Sequence, residues 1–542
     1  MYIFNQVWIL TKTPQGGWLM KRTQWSSRDL EQIREHGLSE EVVEEQVAVF
    51  EKGAPYAELD RPCTVGDGIK RLGDEDLDEY IRAFEKAVSR REAVKFVPAS
   101  GAATRMFKAL LQIAHSHSPV EYAEICAKGQ KEGGVYAEAC SFMDHVQEFA
   151  FYADLAQKMG KDGLDAAELR KQGDFSQIFE YLLTDKGLDY ASTPKGLILF
   201  HKYPDGARTA FEEHLVEAAA YAKDQDSRCR LHLTVSPEHR AGFEALLRAR
   251  RRDYEQAYNA AYDVGFSQQS PATDTIAVDM ENRPFRDADG RLVFRPGGHG
   301  ALIDNLNALD ADLVFIKNID NVVPDRLKNE TFRWKKALAG YLVKLEKQIR
   351  RFQEQLAGDS PRNPDLDEAA EFLENELGVR LPDYFRNASS DRKKAFLTDR
   401  LHRPLRVCGM VPSTGEPGGG PFWVKDKEGG ASIQIVESAQ IDPDSPRQQE
   451  IAKALTHFNP VDIVASLRDA NNRPFDLHRY VDDQAVFISV KSKDGRELKA
   501  LEHPGLWNGA MAGWNTVFVE VPLITFSPVK TVNDLLRREH QG

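Results

Sequence analysis

The stretch "FVPASGAATRMFKALL", residues 96–111, determines how the rest of the chain is interpreted. The residues from Val94 to Val97 form a largely apolar run that suits a buried strand, and small residues follow from Pro98 to Ala103. A helix-compatible pattern then begins at Thr104. A strand, a small-residue turn and a helix start together expose backbone N–H groups to an anion. The signal is weak by itself, because most glycine-rich loops are ordinary turns.

Strand-like and helix-like segments alternate from about residue 94 to residue 330. After the first strand, the strand-like segments are "PKGLILFHKY" (194–203), "RLHLTVSP" (230–237), "DTIAVD" (274–279) and "ADLVFIKNID" (311–320). This alternation predicts an α/β fold with a doubly wound, mainly parallel mixed sheet, which is Rossmann-like. Ligands of such sheets bind beyond the carboxyl ends of the strands.

The order of helical and strand-like segments also predicts the domain organisation. Residues 1–90 are expected to form an N-terminal extension and a helical segment, from Ser27 to about Arg91. Residues 91–330 would form the α/β core, interrupted by a helical insertion at about 118–190. Residues 331–400 read as a second helical insertion, and residues 401–542 as a sheet-rich C-terminal part of the core.

Composition excludes several broad classes of protein. The chain has 542 residues, 42% hydrophobic and 29% charged, with a formal net charge of −13. These values are typical of an ordinary globular protein, and the acidic balance argues against nucleic-acid binding. No apolar run approaches the length that spans a membrane, and the first residues lack the features of a secretory leader. We therefore expect no nucleic-acid or membrane partner, and a monomer or small homo-oligomer.

The five cysteines are widely spaced and form no CxxC pair. The spacing predicts neither a disulfide framework nor a zinc cluster. A reducing cytoplasm fits such a chain best.

Polar and glycine-containing clusters lie beside several predicted strands. They contain Gly101, Lys195, His299, Asp320 and Lys530. Each residue alone has an ordinary interpretation, as a turn glycine, a solvated lysine, a loop histidine or a helix-cap aspartate. Together they supply a loop for close backbone approach, cations for a polyphosphate and a carboxylate for a divalent metal. The chain has no G-x-x-x-x-G-K-[ST], G-x-S-x-G or H-E-x-x-H motif, which disfavours P-loop NTPases, serine hydrolases and zincins.

These segments also resemble a known superfamily. "PASGAATRM" (98–106) resembles the L-A-G-G-x-G-T-R-M signature loop of the sugar-phosphate nucleotidyltransferases, with Ala103 in place of the second glycine. Other segments resemble the eukaryotic-type UDP-sugar pyrophosphorylases of that superfamily, in the same order along the chain: "PKGLILF" (194–200), "RPGGHGALI" (295–303), "IKNIDNVV" (316–323), "IQIVESAQI" (433–441) and "SPVKTVNDLL" (527–536). From about Ser27 onward, the chain is similar to a bacterial family catalogued as a domain of unknown function, DUF4301.

The resemblance implies a role for each matching residue. Nucleotide phosphates would be cradled by the loop of Ser100, Gly101, Ala102, Ala103 and Thr104, and Arg105 would brace the leaving pyrophosphate. Lys195 and Lys530 would neutralise phosphate charge, and Asp320 would bind Mg²⁺. Gln268, Gly298 and His299 would line the base and ribose side of the pocket. Glu437 and Asn459 would contact sugar hydroxyls.

The resemblance implies a nucleoside triphosphate, with UTP favoured, and a sugar 1-phosphate as substrates of a Mg²⁺-dependent reaction that releases pyrophosphate. A non-catalytic nucleotide-sugar-binding or regulatory protein on the same fold is the alternative. A hydrolase or a kinase-like phosphotransferase is a third possibility. These three hypotheses differ in whether pyrophosphate, orthophosphate or neither product is released from a nucleoside triphosphate.

Overall fold

A computed structural model describes residues 11–12, 18–19, 25–101, 103–358, 363–415, 418–426 and 429–542. Ala102, one of the loop residues expected to bind phosphate, lies outside the described residues. No helix in these ranges has the length and apolar character needed to cross a membrane.

Several helices begin at a residue whose side chain caps the first N–H groups. The Thr209 hydroxyl accepts the Glu212 N–H and the Glu212 carboxylate accepts the Thr209 N–H, a capping box that starts one of them. In chain order the helices are α1 Ser27–Glu35, α2 Glu40–Lys52, α3 Asp74–Val88, α4 Lys108–Ser116, α5 Tyr122–Glu132, α6 Gly134–His145, α7 Tyr152–Lys161, α8 Ala166–Gln172, α9 Ser176–Leu183, α10 Ala210–Tyr221, α11 Arg240–Tyr258, α12 Ile303–Asn307, α13 Asp325–Ala357, α14 Asn363–Asn375, α15 Ser390–Leu401 and α16 Pro446–Lys453.

The strands range from two residues to the ten of His457–Ser466. They are β1 Thr11–Lys12, β2 Trp18–Leu19, β3 Leu59–Pro62, β4 Thr64–Val65, β5 Gly68–Lys70, β6 Ala93–Pro98, β7 Leu199–Tyr203, β8 Gly206–Thr209, β9 Arg228–Thr234, β10 Ala261–Ser267, β11 Asp274–Val278, β12 Phe294–Pro296, β13 Leu313–Ile316, β14 Val379–Arg380, β15 Leu405–Pro412, β16 Gly419–Lys425, β17 Ala431–Glu437, β18 His457–Ser466, β19 Phe487–Lys493, β20 Arg496–Glu502 and β21 Asn515–Glu520.

A nine-stranded sheet, counted over the described residues, forms the centre of the molecule. Its order is β10-β9-β6-β13-β18-β15-β21-β5-β4. Only β18 runs antiparallel to its neighbours, β13 and β15. The other pairs in this sheet are parallel. The predicted α/β fold with a mixed, mainly parallel sheet is therefore confirmed.

The two faces of this sheet are buried under different layers. In β13, Leu313 and Phe315 pack on one face, whereas Val314 and Ile316 pack on the other, as alternation along a strand requires. Helices cover the first face, including α3, α10 and α13. The second face packs against α12 and against a four-stranded sheet of order β14-β17-β16-β3.

Three features differ from the sequence-based expectations. Strands β3, β4 and β5 lie within residues 59–70, in the N-terminal part that was expected to be helical. The segment 194–203 contains β7 of a separate two-stranded hairpin, preceded by a 3₁₀ turn at Lys195–Leu197, and 274–278 forms β11 of a second four-stranded sheet, so neither belongs to the central sheet. These runs are apolar and β-compatible, but residue pattern alone does not specify the partner of a strand.

The expectation of no disulfide is wrong. Cys126 on α5 and Cys140 on α6 are bonded to each other, while Cys63, Cys229 and Cys408 are free and buried. The pair could not be predicted from the sequence. The two cysteines are 14 residues apart, and only the packing of α5 against α6 brings them together. The helical insertion at 118–190 contains α5 to α9. The domain boundaries and the cytoplasmic location stay predictions.

Candidate functional site

The candidate site lies where the central sheet changes the direction of its winding. From β6 the chain proceeds to β9 and then β10 on one side, whereas β13 pairs with the other side of β6. This is the 3-2-1-4 order of Rossmann sheets, in which ligands bind at the carboxyl ends of the strands flanking the switch point. The loop from Ala99 to Arg105 follows β6, and Asp320 follows β13.

Lys195 and Asp320 form an ion pair at this position. Lys195 Nζ donates to Asp320 Oδ2 at 2.8 Å and to the Val529 carbonyl at 2.7 Å. Lys530 Nζ lies 3.8 Å from the same Asp320 oxygen. The side chains of Lys195 and Asp320 are 15% and 10% exposed, and that of Lys530 is 64% exposed. Two cations therefore share one carboxylate, which leaves a positive surplus facing solvent.

Backbone contacts hold the C-terminal segment in this position. The Val529 N–H donates to the Asp320 carbonyl at 3.1 Å, and the Ser527 N–H donates to Asn321 Oδ1 at 2.9 Å. The Lys530 and Thr531 N–H groups both donate to the Asp534 carboxylate at 2.7 Å. The resulting turn fixes the backbone at Lys530, which places its ammonium group within reach of Asp320.

The loop after β6 is tethered to the segment that carries Lys195. The Ala103 N–H donates to the Thr193 carbonyl at 3.2 Å, and Thr104 Oγ1 donates to the Ala191 carbonyl at 3.3 Å. The Ala103 amide is consequently engaged within the chain in this conformation. Within the described residues, the amides of Ser100 and Gly101 form no backbone hydrogen bond.

Gly101 and Arg105 lie on the exposed side of the loop. A Cβ added at Gly101 would have no heavy atom within 4 Å, so packing does not require a glycine there. Arg105 ends a short 3₁₀ turn and makes no ion pair with any described residue. Both residues are free to meet a ligand.

A buried ionic layer supports the Asp320 loop from below. Glu217 is fully buried and accepts hydrogen bonds from Lys95 and Lys317, each at 2.7 Å. Burial opposes ionisation of Glu217, but the two ammonium groups outweigh it and hold its pKa well below the usual range. His214 Nε2 lies 3.1 Å from the Ile319 carbonyl, and burial lowers the pKa of this histidine far below normal. The neutral imidazole thus donates to the peptide that precedes Asp320.

His299 is part of a second cluster, with Glu437 and Trp507. The Leu506 N–H donates to His299 Nδ1 at 2.9 Å, so the ring proton is on Nε2, which lies 3.2 Å from Glu437 Oε1. The Trp507 ring stacks on the imidazole with centroids 4.0 Å apart. Both ring nitrogens are engaged, which leaves His299 suited to shaping a pocket wall rather than to abstracting a proton.

Glu437 is ionised within this cluster. Burial raises the pKa of its carboxyl, but the hydrogen bond from His299, with smaller contributions from Asn508 and Trp507, lowers it below the usual value. Two glycines make the packing possible. Gly298 has φ +75°, and a Cβ at Gly505 would lie 2.4 Å from His299 Cε1. Gly298 of "RPGGHG" and Gly505 therefore have a structural reason independent of any ligand.

The remaining predicted residues lie at or beside the same edge of the sheet. Gln268 follows β10 and is exposed, and its carbonyl accepts from Asn305 Nδ2 at 3.0 Å. Asn459 lies near the start of the antiparallel strand β18, at the edge where the parallel strands end, but is 3% exposed. Its Oδ1 accepts the Val461 N–H at 3.1 Å, which satisfies that oxygen internally.

The structure thus brings most of the predicted residues into two clusters, and Gln268 and Asn459 belong to neither. The loop of Ser100 to Arg105, Lys195, Asp320 and Lys530 form what we call the phosphate-side cluster. His299, Glu437 and Trp507 form the histidine cluster. Sequence reasoning missed Asn305, which also donates to Ser267 Oγ at 2.8 Å and so joins α12 to the end of β10. It also missed the layer of Lys95, Glu217 and Lys317, because a buried lysine in an apolar strand has no signature in the sequence.

Comparison with solved structures finds similar chains at low identity. A UDP-glucose pyrophosphorylase from Leishmania major is 12% identical with a TM-score of 0.42, covering 95% of this chain and 79% of that one. A UDP-N-acetylglucosamine pyrophosphorylase from Trypanosoma brucei is 12% identical with a TM-score of 0.43, covering 92% and 74%. A UDP-glucose phosphorylase from Trypanosoma brucei is 15% identical with a TM-score of 0.42, covering 94% and 77%.

A search of curated proteins finds no match. A family model described as "Domain of unknown function (DUF4301)" matches residues 26–541, which is nearly the whole chain. The protein therefore belongs to the DUF4301 family.

Proposed function

We propose that this protein is a Mg²⁺-dependent nucleotidyltransferase that joins a nucleoside triphosphate, with UTP favoured, to a sugar 1-phosphate and releases pyrophosphate. The observation that carries the proposal is the meeting of Lys195, Asp320 and Lys530 with the loop after β6 at the switch point of the sheet. Such an arrangement of cations and free loop amides suits a polyphosphate. The motif resemblance in the same segments supports the same substrate class.

The oxygen donors at this position fit Mg²⁺. Mg²⁺ prefers oxygen ligands and commonly takes one or two protein carboxylates together with substrate phosphates. Asp320 is a nearly buried carboxylate at the predicted position, and both lysines approach through its Oδ2. One carboxylate fits a metal that arrives with the nucleotide, and does not form a cage by itself. When bound, Mg²⁺ would neutralise phosphate charge and polarise the phosphate oxygens.

The reaction needs no nucleophile from the protein. A phosphate oxygen of the sugar 1-phosphate attacks the α-phosphorus in line, a new P–O bond forms, and the bond to the β-phosphate oxygen breaks to release pyrophosphate. The residues of the chain orient the two substrates and offset charge on the reacting phosphate. Lys195 would move from Asp320 to that phosphate, while Arg105 and Lys530 would hold the departing pyrophosphate.

The histidine cluster would form the other end of the pocket. His299 and Trp507 present a flat stacked surface, which suits the base and ribose. The ionised Glu437 offers acceptor oxygens to sugar hydroxyls once its hydrogen bond to His299 is shared. Gln268 at the end of β10 would read the edge of the base.

The alternative is a protein that binds a nucleotide sugar without turnover. It keeps the pocket but needs no in-line arrangement of cations around a reacting phosphate. The retained pair of Lys195 and Asp320, with Lys530 beside it, favours the enzyme.

An activity screen over all combinations of the two substrates, which we call the substrate matrix, tests the proposal. The purified protein is incubated with Mg²⁺, each of the four common ribonucleoside triphosphates and a panel of sugar 1-phosphates, and pyrophosphate is measured. We expect release of pyrophosphate only when both substrates are present. Release of orthophosphate instead would indicate a hydrolase. Saturable nucleotide-sugar binding with no pyrophosphate across the matrix would favour the non-catalytic alternative.

A further inference from the structure

A cavity at the opposite end of the central sheet has no role in the proposed reaction. Its volume is about 370 Å³, within the range of small-molecule sites. Arg91 and Asp312 line it and immediately precede β6 and β13, whereas the phosphate-side cluster follows the other ends of these strands. Because β6 has six residues, the two sites are separated by roughly 20 Å. The cavity contains none of the predicted site residues.

The charges that line this cavity do not cancel. Five arginines, Arg90, Arg91, Arg350, Arg403 and Arg468, face three carboxylates, Asp312, Glu346 and Asp469. A local excess of arginine is unexpected in a chain whose net charge is −13.

Each of the three carboxylates is already engaged by the protein. Glu346 pairs with Arg91, and Asp312 pairs with Arg468 Nε at 3.0 Å. Asp469 binds Arg473, outside the cavity lining, at 2.7 Å. None of these acids is therefore left to neutralise a further arginine.

Two of the five arginines have no partner in the part of the chain that the structure describes. Arg403 pairs with Asp399, but Arg90 and Arg350 form no ion pair or side-chain hydrogen bond within the described ranges. Arg90 lies just after α3 and Arg350 lies on α13, and both are exposed at the rim. Two guanidinium groups at one opening match the charge of a phosphoryl dianion, which arginine binds in a bidentate manner.

Part of the inner wall of the cavity is apolar. Ile349, Leu401 and Leu405 are buried, and the half-buried ring of Phe475 lines the same space. An apolar wall beneath a cationic rim suits a small molecule with a phosphoryl group at one end and an apolar or planar body at the other. We propose that this cavity is a second ligand site, distinct from the phosphate-side cluster, for a small phosphorylated metabolite bound by Arg90 and Arg350.

Calorimetric titration with phenyl phosphate tests the proposal without any enzyme assay. We expect saturable binding to the full-length protein with a Kd of millimolar order or tighter. The double variant Arg90→Gln/Arg350→Gln should bind at least about tenfold more weakly, because both bidentate contacts are lost. Phenol, which has the ring without the charge, should bind weakly or not at all. Inorganic phosphate should bind more weakly than phenyl phosphate, and equal affinities would overturn the role given to the apolar wall.

Matched variants separate this site from the proposed active site. Arg82→Gln/Arg252→Gln removes two exposed arginines outside the cavity and should leave binding unchanged. Lys195→Ala/Lys530→Gln alters the phosphate-side cluster and should also retain the phenyl phosphate site. Because all four arginines are exposed, the midpoint of thermal unfolding of each arginine variant should equal that of the wild type. The single variant Arg350→Gln provides a second test of the contribution of the rim to phenyl phosphate binding. Wild-type affinity in Arg90→Gln/Arg350→Gln, absence of saturable binding by the wild type, or loss of binding only in Lys195→Ala/Lys530→Gln would overturn the proposal.

Discussion

Lys195 Nζ lies 2.8 Å from Asp320 Oδ2, although the two residues are 125 positions apart in the chain. The lysine also donates to the Val529 carbonyl, so three distant segments meet at one ammonium group. The pair holds a cation and a carboxylate ready at the switch point before any ligand arrives. A polyanion entering the site would compete with Asp320 for Lys195, and the predictions below follow from that exchange.

Lys195→Ala should reduce turnover by about 100- to 1000-fold, because one cation facing the reacting phosphate is removed. Pyrophosphate release at saturating substrates measures the effect, and circular dichroism checks that the fold persists. Lys347→Ala removes an exposed lysine of α13 and serves as the control. Wild-type turnover in Lys195→Ala would exclude the proposed role.

Asp320→Asn should abolish turnover at every Mg²⁺ concentration tested, since the amide is a poor ligand for the ion. Its effect on stability should not add to that of Lys195→Ala, because the two side chains share one contact. A double-mutant cycle of unfolding free energies should give a coupling of about 0.5–3 kcal/mol. A coupling near zero would contradict the ion pair itself, independently of any activity.

Gly101→Ala should fold with the stability of the wild type, because a Cβ there meets no atom within 4 Å. If the Ser100 and Gly101 amides bind phosphate, the added methyl group should nonetheless raise the KM for the triphosphate about tenfold or more. Thermal melts and initial rates on one preparation separate the two effects. An unchanged KM would remove the loop from the phosphate site.

Lys530→Gln should raise the KM for the triphosphate with a smaller effect on turnover, because its ammonium group is largely exposed and screened by salt. The wild-type KM should increase with ionic strength more steeply than that of the variant. Equal salt dependence in the two proteins would argue that Lys530 does not face the ligand. Lys347→Ala again supplies the control for loss of one surface charge.

Glu437→Gln tests how the free energy of unfolding depends on pH in the acidic range. The pKa of Glu437 in the folded chain is lowered from 4.5, so its contribution is fully present above about pH 4.5 and is lost as the pH falls through the lower folded value. The variant should be less stable than the wild type at neutral pH, and the difference should shrink below pH 4.5. Urea unfolding at several pH values measures it. A difference that does not change with pH would show that the carboxylate is not ionised by its contact with His299.

Sequence reasoning reached the local features of the site. The apolar run before Pro98, the small-residue loop and the helix pattern after it predicted a strand, turn and helix at these positions, and β6 and α4 confirm the elements. The mainly parallel sheet was also predicted, because strands and helices alternate with the spacing that parallel pairing requires. These features depend on neighbours in the chain, and residue pattern reports such neighbours directly.

Residue pattern did not predict which strands pair with each other or which charged side chains form ion pairs. The segments 194–203 and 274–278 are apolar enough for the central sheet but pair elsewhere, and Cys126 meets Cys140 only through the packing of two helices. Lys95 lies in an apolar strand, and its burial is tolerated only because Glu217 approaches from α10.

By itself, the sequence determined which segments become strands, turns and helices, and which residue types follow each strand. Only the tertiary structure decided that Lys195 and Lys530 approach one oxygen of Asp320, that His299 pairs with Glu437, and that Arg90 and Arg350 have no partner among the residues that the structure describes. The physical reason is the range of the interactions. Backbone propensity and apolar periodicity act over a few residues, whereas ion pairs and cavities depend on groups that chain packing brings together from hundreds of positions apart.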